Sequence, residues 1–338
     1  MFTTGFTSPG SPAKANEDWF ATTPDLAVVL DGATVRTTTG CQHGVPWYVS
    51  HLGPYLVAGA LDKDAPLRNV LAQAIQQVSN LHADTCDLND PGTPSAAVGM
   101  VRLVDGVVQY LVLGDISLVV ETEKDGEYPI EVLRDDRVSS TAAAERAEAD
   151  RHPIGSAEKD SALLLMKPAE LAARNVEGGY FIAAADPAAV EHAYVGSFPV
   201  REVVRLALLS DGAARLVETF GLLSWTRALN MIEFEGPAAA IARVRDAEAG
   251  DPVGEAHPRN KTSDDATVLF ADFHKVPSRV VGLRVGRAVN FDVDFDDPEV
   301  KAVRSKTLAD FHTQTHDPDL TGEDVGGWRR RRDTNQQV

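Results

Sequence analysis

The sequence predicts an α+β protein built on antiparallel strands, and three observations lead there. Short apolar runs stop at turn signals, as Leu26 to Leu30 does at Asp31-Gly32. Two such runs, Ala96 to Val104 and Val107 to Leu113, are joined by Asp105-Gly106, a strong hairpin signal. Clear helical periodicity is separate from these runs: Val70, Leu71, Ala74, Ile75, Val78 and Leu81 fall on one stripe from Leu67 onward. Strands following strands, rather than alternating with helices, argue for antiparallel pairing.

The remaining elements follow in order. Trp47 to Leu61 reads as a helix that Pro54 would kink or break. Ser117 to Glu121 and Ile130 to Leu133, separated by the turn Asp125-Gly126, extend the hairpin into a meander. Thr141 to Asp150, rich in Ala and Glu, reads as a surface helix. Tyr180 to Ala184 and Leu206 to Leu209 read as strands, the second ending at Ser210-Asp211-Gly212. Helices are expected over about Leu222 to Phe234 and Pro237 to Ala249, the latter with its proline in the first turn. Gly250 to Asp265 is a polar loop, and Ala266 to Phe273 is a last strand. Two domains result: 1–275, and a weakly patterned, partly disordered appendage over 276–338.

Composition narrows the function. The 338 residues carry a formal net charge of −18, which disfavours general nucleic-acid binding and fits a metal site built from carboxylates, although surface solvation is the default reading of the acidity alone. Cys41 and Cys86 form no Cys-x-x-Cys pair, so neither a thiolate zinc site nor a disulfide framework is indicated. Met1 to Gly10 lacks the basic and apolar stretches of a secretory signal, and no apolar run approaches the roughly 20 residues of a spanning helix. A soluble cytoplasmic protein, without membrane or nucleic-acid partners, is the expectation.

The chemistry concentrates at strand ends. Asp31 follows LAVVL, Asp115 follows YLVLG, Asp211 follows LALLS, Asp264 precedes TVLF, and Glu17-Asp18 precedes Trp19-Phe20. Any one of these is ordinary turn chemistry. Together, on strands in register, they would crowd carboxylates onto one rim, where they repel unless cations intervene, and hard oxygen ligands select Mg²⁺ or Mn²⁺. Neither a Gly-x-Ser-x-Gly elbow nor a Cys-x5-Arg phosphate loop is present.

The ordered set Asn16-Glu17-Asp18, Asp31-Gly32, Gly114-Asp115, Ser210-Asp211-Gly212 and Asp264-Asp265-Ala266-Thr267 resembles the protein phosphatase 2C family of metal-dependent serine/threonine phosphatases, over about residues 5–273. The resemblance implies a four-layer α-β-β-α sandwich of two antiparallel sheets flanked by helices. It implies that phosphoserine and phosphothreonine esters of a protein substrate are hydrolysed by a hydroxide bridging two Mn²⁺ or Mg²⁺ ions. Asp31 would bridge the metals, and the Gly32 carbonyl would ligate one of them. Asp211 and Asp264 would ligate the other, with Glu17 and Asp18 holding metal-bound waters. Asp115, with Asp211, would serve the third, weaker site of some members.

The chain departs from this pattern where the family grips phosphate. Ala13 stands in place of an arginine, leaving Lys14 or Arg36 as candidate substrate-phosphate contacts. Ala33-Thr34 replaces further glycines and a histidine, and Ile116-Ser117 follows Gly114-Asp115 in place of Ser-Arg. The alternative reading is therefore a catalytically weak phosphatase-like binding or regulatory module that binds a phosphorylated partner or a ligand without turnover. Other features are weaker. His43, His51 and His152 are isolated; His312 and His316 lack a zincin glutamate; Gly282 and Gly286 make no phosphate loop; Arg329 to Arg332 reads as a solvated tail.

Overall fold

The computed structural model describes residues 1–34 and 39–273. Arg36, the appendage 276–338 and the features noted within it lie outside the described residues.

Ten strands form two antiparallel five-stranded sheets. The first has the order β1 (Phe2–Ser8), β10 (Ala266–Asp272), β9 (Val203–Leu209), β6 (Ser117–Thr122), β7 (Ile130–Leu133). The second has β2 (Trp19–Thr23), β3 (Leu26–Gly32), β4 (Ala96–Val104), β5 (Val107–Leu113), β8 (Tyr194–Pro199). Helices α1 (Val45–Gly59) and α2 (Leu67–His82) cover the second sheet, while α6 (Asp211–Ala214), α7 (Trp225–Glu235) and α8 (Pro237–Gly250) cover the first. Two short helices, α3 (Arg137–Ser140) and α4 (Ala143–Ala149), and the longer α5 (Ala157–Ala172) lie in the excursion between β7 and β8.

This layering explains the unbroken apolar runs. On β3, Val28 and Leu30 face the α1/α2 layer, while Ala27 and Val29 face the other sheet. On β9, Leu206 and Leu208 point between the sheets, and Ala207 and Leu209 point toward α7 and α8. Strands with both faces covered need apolar residues at every position, so the alternation of a half-exposed sheet is absent.

Several expectations hold locally. Asp105 and Gly106 both have positive φ, at 48° and 79°, closing the β4–β5 hairpin with Val104 opposite Val107. Asp125 and Gly126 do the same at 55° and 82°. Pro54 lies inside α1 without ending it.

Other expectations are corrected. The meander is split, because β4 and β5 belong to one sheet and β6 and β7 to the other. The chain crosses at Gly114, where φ is +81° and any Cβ would stand 2.7 Å from that of Ala97. Buried Ile116 then anchors the start of β6, which pairs with β9. Tyr180 to Ala184 is no strand; it makes only isolated bridges, Ala96 to Ala183 and Arg174 to Tyr180. The helix expected over Thr141 to Asp150 is present as α4, shortened at its start because Ala142 has φ 52°. Strands β1 and β8 and helix α5 carry no clear periodic signal in the sequence, since the two strands are half-exposed edges.

Candidate metal and phosphate site

Strand direction brings the acidic residues together. β3 and β5 run parallel to each other across β4, so Asp31 and Asp115 leave the second sheet at the same end. β2 is antiparallel to β3 and starts there, which places Glu17 and Asp18 alongside. In the first sheet β9 ends, and β10 begins, at the matching rim, bringing Asp211 and Asp264. The rims are tied across the sandwich. The Asp211 backbone N–H donates to Asp31 Oδ2 at 2.9 Å, and the Thr267 hydroxyl donates to Asp18 Oδ2 at 2.7 Å.

A cleft of about 360 Å³ opens over this rim, lined by Asp31, Gly32, Asp115, Asp211 and Asp264 together with the cations Arg134, Arg146, Lys167, Arg215, Arg259 and Lys261. Two glycines are required by close approach. A Cβ on Gly32 would fall 2.4 Å from the Glu17 carbonyl, and one on Gly212 would fall 2.0 Å from the Asp265 carbonyl.

The electrostatics are those of a carboxylate cluster with too few partners. Burial, with Asp211 and Asp265 adding repulsion, pushes the Asp18 carboxyl up to about 8. Burial, then the charges of Asp211, Asp18 and Asp115, hold Asp31 well above the ordinary aspartate range. Asp115 is raised to about 6 by burial and by Asp211, and Asp211 is raised by burial and by Asp264. Glu17 is raised chiefly by burial. Asp18 Oδ1 is buried with no hydrogen-bond partner. An orphaned carboxylate oxygen among mutually repelling carboxylates is what a divalent cation would satisfy, and the all-oxygen donor set fits Mg²⁺ or Mn²⁺.

Asp264 differs from the others. It already meets two cations of the protein: Lys261 Nζ at 2.6 Å and Arg215 at 3.0 Å. Lys261 also donates to Thr34 Oγ1 at 2.7 Å, and Thr34 in turn hydrogen-bonds the Glu17 carboxylate. Arg215 is itself paired to buried Glu248 at 2.7 Å. Sequence reasoning misses both Lys261 and Arg215. Arg215 stands four residues after Asp211 and Lys261 three before Asp264, a spacing that carries no distinctive signal. Asp265, the second acid of the Asp264-Asp265 pair, has a positioning role. Its carboxylate accepts the Gly10 and Glu17 backbone N–H groups at 2.7 and 2.6 Å, fixing the loop that presents Glu17 and Asp18.

Lys14 stands exposed on the same β1–β2 loop as Ala13 and is not among the residues lining the cleft. His51 bonds the Trp47 carbonyl and His152 the Glu148 carboxylate, both away from the cleft.

The raised carboxyls give a pH prediction for the metal-free protein. Above about pH 4 the folded chain keeps protons that the unfolded chain has released, on Asp115 up to about 6 and on Asp18 up to about 8, with Asp31 raised as well, so stability falls as pH rises through that window. EDTA-treated protein should therefore melt at a higher temperature at pH 5 than at pH 8. Mg²⁺ or Mn²⁺ should remove most of that difference by pairing the ionised groups. A melting temperature independent of pH in EDTA would mean that the carboxylates are already neutralised.

No protein-family model matches the chain, nor does any curated protein. Solved structures do. A point variant of a bacterial serine phosphatase superposes with a TM-score of 0.51 at 15% identity, over 81% of this chain and 98% of that one. The serine/threonine phosphatase Stp1 from Staphylococcus aureus gives 0.50 at 14% identity, over 80% and 94%. The two five-stranded antiparallel sheets flanked by helices are the protein phosphatase 2C fold.

Proposed function

We propose that the chain is a metal-dependent phosphatase acting on phosphoserine and phosphothreonine in proteins, with residues 1–275 as its catalytic domain. The observation that carries this reading is the convergence of Asp31, Asp115 and Asp211 on one cleft, beside buried Asp18 with its orphaned oxygen, their carboxyls raised by burial and by mutual repulsion. Asp31, Asp211, Asp264 and the Gly32 carbonyl would hold two Mg²⁺ or Mn²⁺ ions, Glu17 and Asp18 would orient their waters, and Asp115 would contribute to a third. Bound there, the pair of ions would activate water as the nucleophile and neutralise the phosphoryl oxygens. The protein's own part is to hold these carboxylates in place through Asp265, Thr267 and the Asp211 N–H, and to line the cleft with cations that receive a dianion. Cys41 and Cys86 form no disulfide, which suits a reducing cytoplasm.

The deciding experiment is hydrolysis of p-nitrophenyl phosphate and of a phosphothreonine peptide, with Mn²⁺ and after EDTA. Turnover that needs the cation supports the reading, and full turnover in metal-stripped protein sinks it.

Phosphate contact beyond the metals is proposed for Lys14 and Arg36. Lys14→Ala should raise KM for a phosphopeptide more than it lowers kcat, the pattern of a charge held against phosphate in ground and transition states alike. Unchanged kinetics would move the grip to the cleft-lining cations, Arg134 first.

A second reading has one observation in its favour. Lys261 and Arg215 both neutralise Asp264, so protein cations already supply positive charge where the second metal would bind. A module that binds a phosphorylated partner without turnover is consistent with that. Tight phosphopeptide binding with no Mn²⁺-dependent hydrolysis would establish it.

A further inference from the structure

Away from the carboxylate rim, the fold assembles a second group of ligands that sequence spacing does not advertise. Cys41 and His43 lie on the connection from β3 to α1. His82 is the last residue of α2, and Cys86 follows in the next turn. No Cys-x-x-Cys pair exists, but Cys41-x-His43 and His82-x3-Cys86 each put two ligands within about one turn of chain. The structure docks the two pairs against each other. The Asp87 N–H donates to the Gly40 carbonyl at 3.0 Å, and the Cys86 N–H closes a turn on the His82 carbonyl at 3.0 Å.

The four ligand atoms lie within 4.8 Å of one another. Cys41 Sγ is 3.4 Å from His82 Nδ1 and 3.7 Å from His43 Nδ1, and Cys86 Sγ is 3.5 Å from His43 Nδ1. A tetrahedral ion with Zn–S near about 2.3 Å and Zn–N near about 2.0–2.1 Å has ligand–ligand edges of about 3.3–3.8 Å. These three spacings fall within that range before any ion is placed, and the other three edges are no longer than 4.8 Å. The His43 backbone N–H also points at Cys41 Sγ, 3.4 Å away, a donor suited to a thiolate. Cys41 and His82 are buried and the other two half-buried, and Trp47 stacks on the His43 ring at 4.1 Å.

We propose that Cys41, His43, His82 and Cys86 bind one structural Zn²⁺ ion. Two thiolates and two imidazoles, with no carboxylate, select zinc over the hard cations suited to the aspartate rim. Four protein ligands complete the tetrahedron and leave no position for substrate, so the ion is structural. Its binding releases the two thiol protons to solvent and changes no oxidation state. Its place in the fold gives it a purpose. The β3–α1 connection leaves β3 just after Asp31-Gly32, and the zinc would clamp its far end to the end of α2. The zinc site does not depend on phosphatase activity.

The test uses the full chain, purified without chelator. Elemental analysis of the chain as purified should find about one zinc per chain. Cobalt-substituted protein should show the intense visible bands of a tetrahedral site and thiolate-to-cobalt charge transfer in the near ultraviolet. Cys86→Ser, at the more exposed thiolate, should reduce zinc at least about tenfold, whereas Asp31→Asn should leave it unchanged. If Cys86→Ser fails to fold, the cobalt spectrum of the unaltered chain decides. Wild-type protein with neither zinc nor a cobalt–thiolate spectrum, a Cys41–Cys86 disulfide in freshly purified reduced-lysate protein, or a Cys86→Ser chain that keeps its zinc would each overturn the proposal.

Discussion

Asp31→Asn is expected to lower turnover by at least about 10³ while making the metal-free protein more stable at neutral pH, the activity loss following from its position. Asp31 is the carboxylate that faces Asp18, Asp115 and Asp211 together, and electrostatic and metal contributions of this kind usually supply several kcal/mol of barrier lowering. The stability gain has the same origin. Burial and three neighbouring acids make the ionised Asp31 unfavourable in the folded state without a cation, and an amide removes that charge. Asn also keeps an oxygen that can accept the Asp211 N–H, so the tie between the sheets survives. Paired measurements of Mn²⁺-dependent hydrolysis and thermal unfolding in EDTA check both halves. Wild-type turnover with an intact fold would show that Asp31 is not the metal bridge. A fall in metal-free stability would show that the carboxylate is held by partners rather than strained by neighbours.

The parts of this architecture that are legible in the sequence are those where local chemistry and tertiary need coincide. Asp105-Gly106 announces its hairpin because both residues must adopt positive φ. The α2 stripe is visible because one face alone is buried. Asp31, Asp115, Asp211 and Asp264 stand out because each interrupts an apolar run at a strand end. What sequence does not show is pairing across the molecule. Ser117 to Glu121 continues naturally from the preceding hairpin, and only the crossing at Gly114 reveals that it belongs to the other sheet, beside β9. Edge strands β1 and β8 escape notice because their exposed faces dilute the apolar pattern. The Cys/His group escapes because its halves are separated by two helices, and spacing rules see only local pairs. Arg215 and Lys261 are ordinary cations until the fold sets both against Asp264.

That convergence leads to the second large effect. Lys261→Met is expected to tighten Mn²⁺ or Mg²⁺ binding by about ten- to a hundredfold and to destabilise the metal-free protein. The Lys261 ammonium donates to Asp264 and Thr34, at 2.6 and 2.7 Å. Burial opposes its charge, but Asp264, Asp211 and Glu17 outweigh that and raise its affinity for the proton, so it stays cationic at neutral pH. A divalent cation ligated by Asp264 must either displace this ammonium or bind beside it. At an effective dielectric of about 20, two unit charges about 4 Å apart interact by about 4 kcal/mol. Relaxation of a flexible side chain leaves only part of that, on the order of 1–3 kcal/mol, which is the stated range of affinity. Methionine keeps the length and apolar stem of lysine, so the cleft wall is preserved while the charge is lost. Calorimetric titration with Mn²⁺ reads the affinity directly, and unfolding in EDTA reads the stability. Tighter metal binding together with a gain in hydrolysis would identify Lys261 as a built-in competitor for the second cation. Weaker metal binding would instead make it a positioning residue, needed to hold Asp264 and, through Thr34, Glu17 in the geometry that receives the ions.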